Sequence, residues 1–324
     1  MRVKEKNYAK KIILTGIMIL ALFAGMSTSI TAAQKEITVG VTSFADTLET
    51  TEQYFSWVVS RYGVGETLVR FNEQGEKAPL LAESWENSEG GKVWKFKIRE
   101  GVKFSDGTEM TPERVKSSLE RTFKLSKRAS TFFMPSSIKV DGQYLIISTD
   151  KPVTILPECL ADPLFIIVNT DADTSTFAMK GPICTGPYIV ESFNPTEVCV
   201  VVKNKHYWNG EVPLDKVTFK CINDQATRSM ALQSGEIQVA YNLKTENLQD
   251  FENQEKYKIQ SLKSLRTTFA FMNEKGVLGD KILRQAVSRA LNREVYCKVL
   301  LEGGATPGKA PIPPTLDFGF DELI

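Results

Sequence analysis

The chain has 324 residues, with 40 Lys and Arg against 39 Asp and Glu and a formal net charge of +1. Such a balance excludes the strong basic excess of a nucleic-acid-binding domain. The length is enough to bury a large core divided between two or more lobes.

The charge is unevenly placed. Arg2, Lys4, Lys6, Lys10 and Lys11 stand against Glu5 at the start, followed by an apolar run over 12–24 and small or polar residues up to Thr31-Ala32-Ala33. Basic, apolar, then small is the order of a secretory signal. Residues 1–33 are therefore read as a signal peptide cleaved after Ala33, with export to a periplasmic or extracellular, surface-associated location. The competing reading is an uncleaved anchor, because 12–33 approaches the roughly 20 residues that span a bilayer. Leu22-Phe23-Ala24-Gly25 resembles the opening of a lipoprotein signal, but Met26 stands where the lipid-accepting cysteine must be. Cleavage would remove five basic residues and one acid, leaving a net charge near −3.

Residues 37–41 form a short β-run that opens the exported domain. Over 52–62, Phe55, Val58 and Val59 fall at helical spacing and Gly63 closes the segment. Thr67-Leu68-Val69-Arg70-Phe71 reads as a strand, with a turn at Asn72-Glu73-Gln74-Gly75. Trp94-Lys95-Phe96-Lys97-Ile98-Arg99 is the clearest strand, with large apolar groups on one face and cations on the other. Residues 81–85 are its expected partner across Gly90-Gly91. Ser105-Asp106-Gly107 is a turn. Thr111-Pro112-Glu113 opens a helix with a hydroxyl cap, proline at the first position and an acid in the first turn. That helix is expected to run to about Lys124. Residues 136–140 and 144–148 predict a hairpin around Asp141-Gly142.

Two strands, 199–203 and 216–222, flank 204–210. Asn223 or Asp224 caps a helix that ends at Gly235, with Ile237 and Val239 on the next strand. Leu283, Val287, Ala290 and Leu291 mark a helical face, Asn292 restarts the helix, and Gly303-Gly304 ends it. The five cysteines, Cys159, Cys184, Cys199, Cys221 and Cys297, show no CxxC spacing. An odd set of this kind fits neither a disulfide framework nor a zinc site. A Cys199–Cys221 bridge is the one pairing the strand pattern leaves open. Strands and helices interleave without a strict βαβ repeat, so the fold class is α/β with mixed sheets.

Several of these blocks, in this order, resemble the extracellular solute-binding proteins of family 5, the peptide- and nickel-binding components of ABC importers. The resemblance rests on Gly65-Glu66-Thr67-Leu68, on Ala78-Pro79-Leu80-Leu81-Ala82-Glu83-Ser84-Trp85, and on the run from Phe96 to Gly107 with Thr111-Pro112-Glu113-Arg114-Val115. It continues through Thr185-Gly186-Pro187-Tyr188, Asn204-Lys205-His206-Tyr207-Trp208, 231–237 and 284–293, and covers about residues 36–313. It implies a two-lobe, periplasmic-binding-protein-like fold that closes over a solute. The first lobe would take 34–52 and 183–264, an inserted subdomain 53–182, and the second lobe would begin at 265. Relatives continue well past the point that matches Ile324, so the second lobe is expected to be incomplete at 265–324.

The same resemblance implies capture of a short peptide outside the cell and delivery to the permease subunits of an importer. It implies a monomer, with no cofactor and no nucleic-acid partner. The expected ligand-binding residues are Thr42, Ser43 and Phe44 after the first strand, the pair Phe132 and Phe133, the turn Tyr241 and Asn242, and Thr268 and Phe269. For the aromatic pairs, core packing is the competing role. A nickel ion or metal chelate is the rival ligand. One histidine and scattered cysteines do not make an all-protein metal site, and the segment Ala161-Asp162-Pro163-Leu164-Phe165 lacks the chelate-neutralising Arg that the nickel-binding relatives would place there. A secreted hydrolase is the rival from another class. It would have to use His206, and no G-x-S-x-G elbow is present to expose a serine.

Overall fold

The computed structural model describes residues 35–42, 45–252, 254–261, 265–308 and 312–313. The signal-peptide reading of 1–33, and with it Ser43 and Phe44, lies outside the described residues.

Among the described residues, the strands form three sheets. The largest has the order β11-β1-β10-β9-β8, built from β1 (Glu36–Val41), β8 (Tyr188–Asn194), β9 (Val198–Lys203), β10 (Lys216–Cys221) and β11 (Val239–Ala240). β1 runs parallel to both β10 and β11, while β10, β9 and β8 pair antiparallel. A second sheet has the order β4-β5-β7-β6, from β4 (Ala82–Ser88), β5 (Val93–Ile98), β6 (Pro135–Asp141) and β7 (Tyr144–Thr149). β2 (Val69–Phe71) and β3 (Lys77–Pro79) make a separate ribbon.

β5 shows how the sequence pattern becomes a sheet. Trp94, Phe96 and Ile98 are buried together. On the opposite face the cations are matched: Lys97 pairs with Glu83 at 2.9 Å, and Lys95 lies over the Tyr144 ring at 4.0 Å. The hairpin of β6 and β7 turns at Gly142, whose φ of 56° lies in the left-handed region that favours glycine. α2 (Pro112–Leu125) begins as its sequence predicts, with the Thr111 hydroxyl accepting from the Arg114 amide at 3.4 Å. Its buried Val115 and Leu119 join Phe96, Phe104 and Phe165 in one apolar core.

A second core lies on the five-stranded sheet. It combines Cys199, Val201 and Val217 with Val59, Tyr62, Val64, Ile166, Val168 and Phe177. The Tyr62 and Phe219 rings stack at 3.7 Å. α1 (Ser56–Arg61) is shorter than the 52–62 spacing predicts. Gln53 takes a left-handed φ of 43°, and Phe55 supplies no capping side chain, so the preceding residues form turns instead. The open Cys199–Cys221 pairing does not occur: register sets Cys199 opposite Phe219, and all five cysteines are free.

α3 (Gln225–Ser234) starts at Asp224, which accepts from the Thr227 amide at 2.8 Å, and ends at a left-handed Gly235. α4 (Lys281–Ala290) has Asp280 as its cap, and Asn292 restarts the helix over Arg293–Val295. The apolar face of α4 is exposed. No described helix is long and apolar enough to cross a membrane.

Candidate functional site: the carboxyl edge of the parallel strands

The parallel pairing of β1 with β10 and β11 brings three strand ends to one edge. Ile222 N donates to Val41 O and Tyr241 N donates to Gly40 O, both at 2.9 Å, so Thr42, Ile222 and Tyr241 leave the sheet side by side. In open sheets with parallel strands, ligands bind outside such carboxyl ends. The structure thus joins two of the segments expected from sequence, Thr42 and the Tyr241–Asn242 turn. Asn242 has a φ of 60°, a conformation that asparagine tolerates better than most residues.

Two arginines complete this rim, and neither was singled out from sequence. Arg61, at the end of α1, sets its guanidinium over the Tyr241 ring at 5.5 Å from the centroid. Both side chains are open to solvent. Arg228, on α3, is 0 % exposed. Its Nη1 donates to Ile222 O and to Asn223 O (3.3 Å), and its Nη2 donates to Asn242 O at 2.9 Å. Burial pulls its pKa down, against the nearby charge of Asp224. A buried arginine on an otherwise mixed helix carries no periodic signal. The clue available in sequence was its position one turn after the cap of a helix that follows a strand.

Phe132 and Phe133 belong instead to the core of the four-stranded sheet. Phe133 is buried in the core of the four-stranded sheet, edge-on to Phe123 at 5.0 Å and stacked with Phe165 at 5.6 Å. Phe132 meets Phe165 edge-on at 5.5 Å from a partly buried position. Here the competing role, packing, accounts for both rings. Thr268 and Phe269 are exposed, and Phe269 meets Phe271 edge-on at 4.9 Å.

Three of the motif blocks converge at Glu66. Its Oε2 accepts from Thr185 Oγ1 at 2.7 Å and from Trp208 Nε1 at 2.9 Å, and Tyr207 Oη lies 3.5 Å from Oε1. Asn204 ties the same segments together, donating from Nδ2 to Gly186 O at 2.8 Å. At Gly186 a Cβ would fall 2.4 Å from Gly63 O and 2.5 Å from Val64 O, so only glycine allows this approach. These blocks are therefore joints of the scaffold. His206 belongs to one of them: its amide donates to Asn204 Oδ1, and its ring lies against Gly107.

Burial raises the pKa of Glu66, although the bonds from Trp208, Thr185 and Tyr207 oppose the shift. A raised carboxylate contributes stability at low pH that is lost as pH rises through its folded pKa. Glu66→Gln keeps an oxygen for Thr185 and Trp208 and removes the charge. It is expected to flatten the loss of stability as pH rises past the ordinary carboxylate range, and to match or exceed the parent at pH 8. Glu66→Ala leaves the buried Thr185 hydroxyl and the partly buried Trp208 indole without their acceptor and is expected to cost about 1–3 kcal/mol. Urea unfolding at pH 5 and pH 8 checks both; a Gln variant weaker than the parent at pH 8 contradicts the assignment.

The model of the bacterial extracellular solute-binding proteins, family 5 (middle region), matches residues 76–323. This chain belongs to that family, which comprises solute-binding transport proteins and not enzymes. The glutathione-binding protein GsiB of Escherichia coli O1:K1 / APEC is 27% identical over 94% of this chain and 61% of its own length. The nickel-binding protein NikA of Staphylococcus aureus (strain NCTC 8325 / PS 47) is 28% identical over 80% of this chain and 52% of its own. A crystal structure of NikA from Staphylococcus aureus in complex with Ni(L-His)2 superimposes with a TM-score of 0.79 at 25% identity, over 87% of this chain and 60% of that one. The α/β, periplasmic-binding-protein-like fold is thereby established, and the chain spans about 60% of the first of these relatives.

Proposed function

We propose that this chain is part of the solute receptor of an ABC importer that captures short peptides outside the cell and presents them, without chemical change, to membrane permease subunits. The observation that carries this reading is the rim: Thr42, Tyr241 and Asn242 at the carboxyl edge of parallel strands, with Arg61 exposed beside them. Extended peptides are held largely through main-chain hydrogen bonds, and an exposed guanidinium suits a terminal carboxylate. The receptor works as an exported monomer. Residues 34–52 and 183–264 form its first lobe with 53–182 inserted, and the second lobe begins at 265.

A second reading, a nickel–amino-acid chelate, is favoured by the likeness to NikA. His206 packs against Gly107, within one of the scaffold joints. The metal would therefore arrive already chelated, and Arg61 would meet a carboxylate of the chelate.

The protein isolated from the cells that make it is expected to retain di- to pentapeptides through gel filtration and to release them intact, as read by mass spectrometry. Cleaved peptides would overturn the reading in favour of a hydrolase. Failure to retain any peptide would also overturn it.

A further inference from the structure

We propose that Arg228 is the positioning residue of the ligand rim: its guanidinium holds the loop at Ile222 and Asn223 and the turn at Tyr241 and Asn242 in one geometry. Cations are almost never fully buried without a partner, yet Arg228 is fully buried and forms no ion pair with a carboxylate among the described residues. Its planar fork instead spans carbonyls from two separate segments, Ile222 and Asn223 on one side and Asn242 on the other. Nε is buried without a hydrogen-bond partner. Leaving a buried donor unmet is unfavourable, so packing alone gives no reason for an arginine where an apolar side chain would fill the same space.

The surroundings are shaped around this side chain. A Cβ on Gly40 of β1 would fall 3.1 Å from Arg228 Cγ, 3.3 Å from Cδ and 2.6 Å from Ile237 Cδ1, so glycine at 40 makes room for the stem. The Asn242 carbonyl that Nη2 holds belongs to the residue with left-handed φ. The guanidinium therefore holds the backbone at Asn242 in this left-handed state. A lysine cannot replace it, because a single ammonium lacks the two-sided fork.

The effect on affinity rests on the reading of this rim as the peptide-binding edge, but the clamp itself can be tested without ligand. In the 324-residue chain, Arg228→Met is expected to speed amide exchange over 221–224 and 240–244 by roughly tenfold or more, leaving 93–98 and 144–149 unchanged. Arg228→Lys is expected to keep the fold and still show faster exchange at both rim segments. Adding Asn242→Gly to Arg228→Met should return 240–244 toward the parent rate, because glycine enters the left-handed region readily. Equal acceleration in the four-stranded sheet, a parent-like rim in Arg228→Lys, or no rescue by Asn242→Gly would overturn the proposal.

Tetra-alanine binding by the protein isolated from its cells separates the two claims. The proposal expects roughly tenfold weaker binding in Arg228→Met, partly restored by Asn242→Gly. Unchanged affinity would overturn the positioning role. A parent protein that ignores tetra-alanine would count against the peptide reading, while the exchange result would still decide the clamp.

Discussion

Replacing Glu49 by alanine is expected to destabilise the fold by about 3–5 kcal/mol, because it strands a largely buried cation. Glu49 meets Arg121 of α2 through two parallel bonds, Nη1 to Oε1 at 2.9 Å and Nη2 to Oε2 at 2.8 Å. The side chains are only 10% and 13% exposed. The Thr51 amide and hydroxyl also donate to Oε1, and the Arg121 guanidinium lies over the Phe177 ring at 5.5 Å. Arg121→Ala should cost a similar amount. Converting both residues to apolar ones of similar volume should recover much of the loss, since the pair carries a desolvation penalty of its own.

The same pair sets a pH dependence opposite to that of Glu66. Burial alone would raise the pKa of Glu49, but the bonds from Arg121 and Thr51 and the Arg121 charge together hold it below the ordinary value of 4.5. Its contribution is present above the unfolded pKa and is lost as pH falls through the lower folded one. Urea titrations at pH 7 and pH 3 should show the parent and Glu49→Ala converging at the lower pH. A constant gap between them would mean that charge pairing is not the cause.

The second large effect concerns α4. Leu283 and Val287 share one face of this helix and are 41% and 49% exposed, and Leu291, Val295 and Val299 continue apolar exposure beyond it. Each such side chain gains about 1.5–3 kcal/mol on full burial, and a contiguous apolar patch of this kind favours association. The isolated 324-residue chain should therefore self-associate and bind an apolar dye. Leu283→Lys combined with Val287→Glu should shift it toward monomer and cut dye fluorescence several-fold. Exposed positions of this type usually change stability by no more than about 0.5 kcal/mol. Sedimentation velocity checks the prediction; a parent chain that stays monomeric at high concentration would contradict it.

Local chemistry made much of the fold legible. The alternation in β5, the cap at Thr111, the Asp141-Gly142 hairpin and the Asp224-to-Gly235 helix are all set by residues close together in the chain. In the candidate site, Thr42 and Tyr241 were named only through the family resemblance; they come together because β1 and β11 pair in parallel, which no local pattern shows. Arg228 and Glu66 were not legible as buried groups, because a charged residue becomes buried only through partners supplied from distant segments. Thr185 and Trp208, which hold Glu66, are 119 and 142 residues away from it. Phe132 and Phe133 show the reverse ambiguity, since an adjacent apolar pair reads the same in a core as in a cleft. Their contacts with Phe123 and Phe165 put them in the core.

Thermal unfolding of the protein isolated from its cells tests the central claim most directly, with a di- to pentapeptide mixture in one sample and nickel with free histidine in another. A ligand bound only by the folded state stabilises it by about 2.7 kcal/mol at a hundredfold excess over its dissociation constant. At roughly 2–4 °C per kcal/mol for domains of about 150–250 residues, the shift should reach several degrees. A rise with the peptides and none with nickel-histidine is the predicted result. A rise with nickel-histidine alone, or with neither, would contradict it.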